Sequence, residues 1–384
     1  MIEPIGAFSF GDLASRRTSI WSPGDEEADY VGLEHIPPYE LRLAGRGSSD
    51  EVTSGKTKFH EGDVLFGKLR PYFRKIVRPD FAGICSTEIW ALYSKDEMFL
   101  DSGYLHWIVA NEEFSDFANS AETGTRMPRA SWDWVSTYQV TLPPLDEQRR
   151  IAEVLGTIDS RIQSTRRLVG LFSDAVQALS ATSPSTCSVS DVASTERIQW
   201  SPQRHQGDIV DHYSLPAFDA GAGPERVEAS SIASNKFLVR EPRVLFSRLN
   251  PDTDRTWLCA PADDVSASVC STEYAVLVPE NVTVGQLWAV LSSGEVGDVL
   301  AAATTGTSAS HQRVREDSVL AATIADPRAL SAQEQAAIDI YADALLEQVR
   351  EAKALRGARD FLLPRLIAGD LRVEAAEELV EAAT

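Results

Sequence analysis

Apolar residues in the middle of the chain recur with a fixed rhythm. Ile151, Leu155, Ile158, Ile162, Thr165, Val169, Phe172, Val176 and Leu179 step alternately by four and three positions, with Thr165 the single polar member. This is the a/d seam of a heptad helix, and it predicts a helix over 145–182 that is roughly 50 Å long at 1.5 Å per residue. Pro143-Pro144 stops what precedes it, and Asp146 is placed to cap it. A second segment, 330–370, carries the same rhythm in Ile338, Ala342, Leu345, Val349 and Ala352, with Ser331 and Glu334 at capping-box spacing. Its phase is lost near Arg356-Gly357, and Pro364 is expected to perturb or end the helix. An apolar seam needs a partner, so the two helices are predicted to pack on each other as an antiparallel coiled coil. Ile151, Leu155, Ile158, Ile162, Val169, Phe172 and Val176 would face Ile338, Leu345 and Val349.

Outside the helices the pattern shortens. Val64 to Phe66, Ile84 to Tyr93 and Tyr138 to Leu142 read as strands between Gly, Pro, Asp and Ser punctuation, and Ser102 to Ala118 reads as helical. The same landmarks return about 180 residues later. Trp21-Ser22-Pro23 returns as Trp200-Ser201-Pro202, Val64-Leu65-Phe66 as Val244-Leu245-Phe246, Cys85 to Glu88 as Cys270 to Glu273, and Thr123-Gly124-Thr125 as Thr305-Gly306-Thr307. Leu145-Asp146-Glu147-Gln148 is echoed by Leu330 with Glu334-Gln335. Read this way, 1–144 and 187–329 are two copies of one α+β domain, Val276 to Val278 and Leu287 to Leu291 give the second its strand and helix signals, and 371–384 is an acidic tail. Aligned by the loop, Met127-Pro128-Arg129 corresponds to Ser308-Ala309-Ser310. A duplicated domain suits a target with two parts, or a partner present twice.

Composition narrows the function. The net charge of −21 alone counts against nucleic acid, because phosphate rewards Lys and Arg. Charge is a sum over all surfaces, however, and Lys68 to Arg78 holds Lys68, Arg70, Arg74, Lys75 and Arg78 with no acid. Four cysteines without a CxxC pair and six histidines without HxxxH spacing offer no zinc framework and fit a reducing cytoplasm. Met1-Ile2-Glu3-Pro4 lacks a basic segment and an apolar core, so no secretory signal is expected, and no apolar run predicts a membrane span. The repeated Cys-Ser-Thr-Glu suggests a nucleophile beside a carboxylate, but no histidine recurs in register to serve as base. Its apolar neighbours favour a buried strand instead. Methyl transfer is not encoded: Pro37-Pro38-Tyr39 follows Ile36 rather than Asn or Asp, and Gly45-Arg46-Gly47 and Gly221-Ala222-Gly223 are lone GxG pairs. No GxxxxGK[ST] loop is present for ATP.

Leu142-Pro143-Pro144-Leu145-Asp146-Glu147-Gln148-Arg149-Arg150-Ile151-Ala152, opening a long helix, resembles the junction after a target-recognition domain in specificity subunits of type I restriction-modification systems. Gly67 to Tyr72, Gly83 to Glu88, Tyr30 to Glu34 and Phe361 to Leu371 resemble further parts of such subunits. The resemblance implies a non-catalytic subunit whose two domains each read one half of a split DNA site. It implies helices that fix the spacing and bind two modification subunits, which methylate adenine with S-adenosylmethionine. The resemblance also leaves room for a motor-nuclease subunit, using ATP and magnesium, to join for restriction, without deciding whether such a partner exists. This chain itself would bind no cofactor.

Within that frame Lys68, Arg70, Arg74 and Lys75 are candidates for phosphate or guanine, with Arg248, Asn250 and Arg255 in the matching stretch of the second copy. Thr125, Arg126 and Arg129, and in the second copy Thr307, His311, Gln312 and Arg313, belong to polar Gly-centred loops suited to phosphates and bases. A solvated charged loop and a surface turn are the plainer readings. Arg149, Arg150, Arg161, Arg166 and Arg167 on the first helix, and Glu347, Arg350, Glu351 and Lys353 on the second, are offered to partner subunits. Two rival classes stand beside this one: a two-lobed protein scaffold, which the acidic balance favours, and an enzyme. A specificity-like subunit of another phage-defence system is a close variant.

Overall fold

A computed structural model describes residues 5–120, 127–219, 221, 223–262, 264–303 and 313–383. The chain divides into two compact units, Met1–Ile162 with Ala354–Thr384, and Gln163–Lys353.

Both units are α+β and have one topology. In the first, a five-stranded sheet runs in the order Ile20–Trp21, Lys56–Phe59, Gly83–Cys85, Asp29–Val31, Gly47–Ser48. A four-stranded sheet runs Ala14–Arg16, Ile89–Ser94, Val64–Gly67, Ile76–Val77, and Gly6–Ser9 pairs with Gln139–Leu142. The second unit repeats each. Its five-stranded sheet is Gln199–Trp200, Lys236–Val239, Ala267–Cys270, Ile209–Tyr213, Glu225–Glu228. Its four-stranded sheet is Ala193–Glu196, Tyr274–Pro279, Arg243–Ser247, Thr256–Cys259, and Thr186–Ser188 pairs with Thr323–Ala325. Even the parallel pairing agrees in register, Val31 opposite Cys85 and Tyr213 opposite Cys270.

The segment Ile84 to Tyr93, expected as one strand, is two strands on two sheets. Ser86 turns the chain: the Ile89 amide donates to its carbonyl and the Glu88 amide to its hydroxyl. Ser271 does the same for Tyr274 and Glu273. Hydroxyl side chains that compete for local amides favour such turns. Ser102 to Ala118 is likewise two helices, Ser102–Ala110 and Glu112–Ser120, broken where Asn111 is extended. Asp101 caps the first, accepting from the Tyr104 amide.

The long helices are Leu145–Ser180 and Ala332–Ala368. The Glu147 and Gln148 amides both donate to the Pro144 carbonyl, so Asp146 lies in the first turn rather than at the cap. Ser331 and Glu334 form the expected capping box. Within the first unit the helices run antiparallel: Arg359 Nη1 donates to Asp159 Oδ1 at 2.9 Å, and Arg150, near the start of the first helix, donates from Nη1 to Glu374 Oε1 at 2.8 Å, just past the end of the second. Within the second they do so again, with Phe172 stacked on Tyr341 at 5.9 Å and Thr182 bonded to Glu334. Ile151, Leu155, Ile158 and Ile162 join one core with Phe66, Tyr104, Ile108, Leu355, Leu362 and Leu366. Val176, Ile338, Ala342 and Leu345 join another with Phe246, Leu287 and Trp288, and Val169, Phe172 and Val349 lie partly buried against it. The seam thus serves both the helix pair and the sheet-rich part of each unit.

The rhythm of the second helix does shift phase just before Arg356: burial passes from Ala352 to Leu355, Arg359, Leu362 and Leu366, one three-residue step replacing a four-residue step, a stammer that keeps the helix covered. Two expectations need correction. Pro364 does not end the helix, because Leu362, Leu363 and Leu366 around it are buried and packing outweighs one lost backbone bond. The acidic end is a helix, Val373–Ala383, that buries Val373 and Ala376 and turns Glu374 and Glu377 toward Arg150. No described helix is long and apolar enough to cross a membrane.

Candidate nucleic-acid interface

In each unit three stretches of chain meet after the strand Val64–Gly67 or Arg243–Ser247. The Lys68 amide donates to the Glu88 carbonyl and the Arg248 amide to the Glu273 carbonyl, both at 2.9 Å. The return segments close the junction: Ala130 donates to the Lys68 carbonyl and Val314 to the Arg248 carbonyl, both at 2.8 Å. Leu69 bridges Arg129, and Leu249 bridges Arg313. Arg129 therefore corresponds to Arg313, not to Ser310, because the bridge fixes the register that the loop sequence did not.

The turn in between is strained in the same place. Arg70 has φ 52° and Asn250 has φ 48°. A left-handed backbone costs an arginine about 1–2 kcal/mol, whereas Asn tolerates it. Pro71 and Pro251 follow, both buried. Arg70 is half-buried and its Nε has no hydrogen-bond partner; the same holds for Oδ1 of Asn250.

Several expected contacts are engaged within the chain. Arg74, also left-handed at φ 48°, donates to the Ala110 carbonyl at 3.0 Å and lies near Glu112, bracing the turn on the helix end. Lys75 donates to the Leu33 carbonyl at 2.6 Å, and burial holds its ammonium below the usual range. Arg248 donates to the Thr272 carbonyl at 2.6 Å and is lowered likewise by burial. Arg255 forms a two-armed pair with Asp219, at 2.6 and 3.0 Å. A basic sequence does not reveal which way a long side chain turns. Thr125, Arg126, Thr307, His311 and Gln312 lie outside the described residues. The structure thus brings together Lys68, Arg70 and Arg129 in one unit, and Arg248, Asn250 and Arg313 in the other.

Two residues escaped the sequence reading. Glu88 takes Arg129 Nε at 3.0 Å, and Glu273 takes Arg313 Nε at 2.8 Å. The repeat of Cys-Ser-Thr-Glu was the available signal, but it pointed to strand packing. The cysteines do pack: Cys85 and Cys270 are fully buried, and burial pushes the Cys85 thiol up to about 12. Among the described residues no group of three or more metal-ligating side chains occurs. On the long helices Arg149 pairs with Asp101 and Asp146, and Arg150 with Glu147, Glu374 and Glu377.

Comparison with known proteins sets this junction in context. The family model described as a type I restriction modification DNA specificity domain matches residues 44–169, which include the first basic turn and the start of the long helix. The type I restriction enzyme EcoDI specificity subunit of Escherichia coli is 28% identical over 184 residues, 45% of this chain and 39% of that protein. A crystal structure of a type I restriction-modification S subunit from M. genitalium matches 94% of this chain and 96% of its own at a TM-score of 0.55 and 10% identity, which shows a shared fold. The HsdS subunit from Thermoanaerobacter tengcongensis aligns over 95% of this chain and 97% of its own at 20% identity and a TM-score of 0.41. Residues 44–169 are thus similar to type I restriction modification DNA specificity domains, and the chain spans 39% of the length of the Escherichia coli specificity subunit it matches.

Proposed function

We propose that this chain is a non-catalytic DNA specificity subunit acting in the cytoplasm. Each unit reads one half of a two-part duplex site, and the paired helices fix the spacing and dock two modification subunits. Those subunits methylate adenine with S-adenosylmethionine; whether a motor-nuclease subunit joins them for restriction is left open by the sequence.

One observation carries this reading. The same left-handed turn position holds Arg70 in one unit and Asn250 in the other, inside otherwise matching junctions. Arginine suits guanine and asparagine suits adenine, so the two units present different base-reading chemistry at one matching position. Lys68 flanks the first of these positions and supplies charge for a phosphate.

The acidic net charge of −21 favours a second reading, a two-lobed protein scaffold. Salt titration of duplex binding separates the two. A DNA reader shows affinity that falls steeply with salt, and Lys68→Ala lowers the slope by about one phosphate contact. A scaffold shows no salt-dependent duplex binding, and that result would remove the DNA reading.

A further inference from the structure

We infer that Glu88 and Glu273 are positioning residues for base reading: each carboxylate anchors the arginine of the return segment, Arg129 or Arg313, and cancels its indiscriminate pull on phosphate. The inference rests on the DNA-reading function proposed above.

The geometry is found twice. In each unit the backbone carbonyl of the glutamate accepts from the first residue of the basic turn, Lys68 or Arg248. Its side chain holds the arginine, and the arginine's backbone bridges the next turn residue, Leu69 or Leu249. One acidic residue therefore ties the sheet-switching turn, the basic turn and the return segment into a closed triangle. The pair persists where its surroundings differ: Arg70 stands against Asn250, and Lys75 against Arg255.

Stability does not explain it. The arginine side chains are 48% and 58% exposed, and exposed ion pairs add little to folding. Positioning does. An arginine on a flexible stem binds any phosphate and releases a counterion whatever the sequence. With a carboxylate on its Nε side, the guanidinium is held in one place and its net charge is offset. A guanidinium has five N–H donors, so one fixed in this way can still meet a base edge. The two carboxylates are the more covered partners, 29% and 22% exposed, as suits an anchor.

The test uses the full chain and a pool of duplexes with a randomised central segment. The wild type is expected to select a two-part consensus. Glu88→Gln should lose about tenfold in base preference in one half only, and Glu273→Gln in the other half only. On an arbitrary-sequence duplex each variant should bind with a salt slope steeper by about one. Glu88→Asp, which keeps the carboxylate, should preserve the consensus. An unchanged consensus in Glu88→Gln and Glu273→Gln overturns the inference. So does equal weakening of both halves with a lowered melting temperature, which would mark a merely structural role. If the wild type selects no consensus, the DNA-reading function itself has failed, and this inference with it.

Discussion

Gln148 and Gln335 occupy the same place in the two halves: each donates from Nε2 to the carbonyl five residues earlier, Pro143 at 3.0 Å and Leu330 at 3.0 Å. Each thereby ties the start of a long helix to the chain entering it. Gln148 is fully buried, also donates to the Phe99 carbonyl and accepts from the Asp101 amide, whereas the half-buried Gln335 has longer contacts to the Pro327 and Arg328 carbonyls, at 3.2 and 3.4 Å. Gln148→Leu strands those buried groups and should cost about 2–4 kcal/mol, whereas Gln335→Leu at its half-buried site should cost about 1 kcal/mol. Denaturant unfolding of the two variants checks the difference.

Burial holds His106 at a pKa of about 3 in the fold, with Arg78 and Arg359 adding to the effect. The folded imidazole is neutral while the unfolded one protonates near its ordinary 6.5. Between those values the unfolded chain binds the extra proton, so stability falls as pH drops from about 6.5 toward 3, by up to about 1.4 kcal/mol per pH unit. Above that window the group contributes nothing. Urea unfolding at pH 7, 6 and 5 should show a shallower loss for His106→Leu than for wild type; identical slopes would contradict the assignment.

Leu155 is fully buried in the seam, and Ile340, on the second long helix, is 65% exposed. Leu155→Ala should destabilise by about 2–5 kcal/mol, whereas Ile340→Ala should stay within about 0.5 kcal/mol. Comparable losses at both sites, measured by thermal melts, would place the seam elsewhere.

The long helices were legible because a 4-3 rhythm states directly which side of a helix is covered, as Ile151 to Ile162 show. The duplication was legible from short motifs, and the identical sheet orders follow from it. What local pattern hid was set by distant contacts. The turn at Ser86 sits inside an apolar run, so two strands looked like one. Pro364 stays helical only because Leu362 and Leu366 are packed. In the candidate interface, residue type identified Lys68 and Arg70 but not the inward turn of Arg74, Lys75, Arg248 and Arg255. Nor did it reveal Glu88, whose partner lies 41 residues away in sequence.

The proposed function is selection of a two-part DNA site for modification, and it can be read out by mapping methylated adenines across the host genome with the gene intact and deleted. Deletion is expected to remove methylation from one motif made of two fixed half-sites with a constant spacer, and changing Arg70 to alter only one half. An identical set of methylated adenines with and without the gene would contradict it.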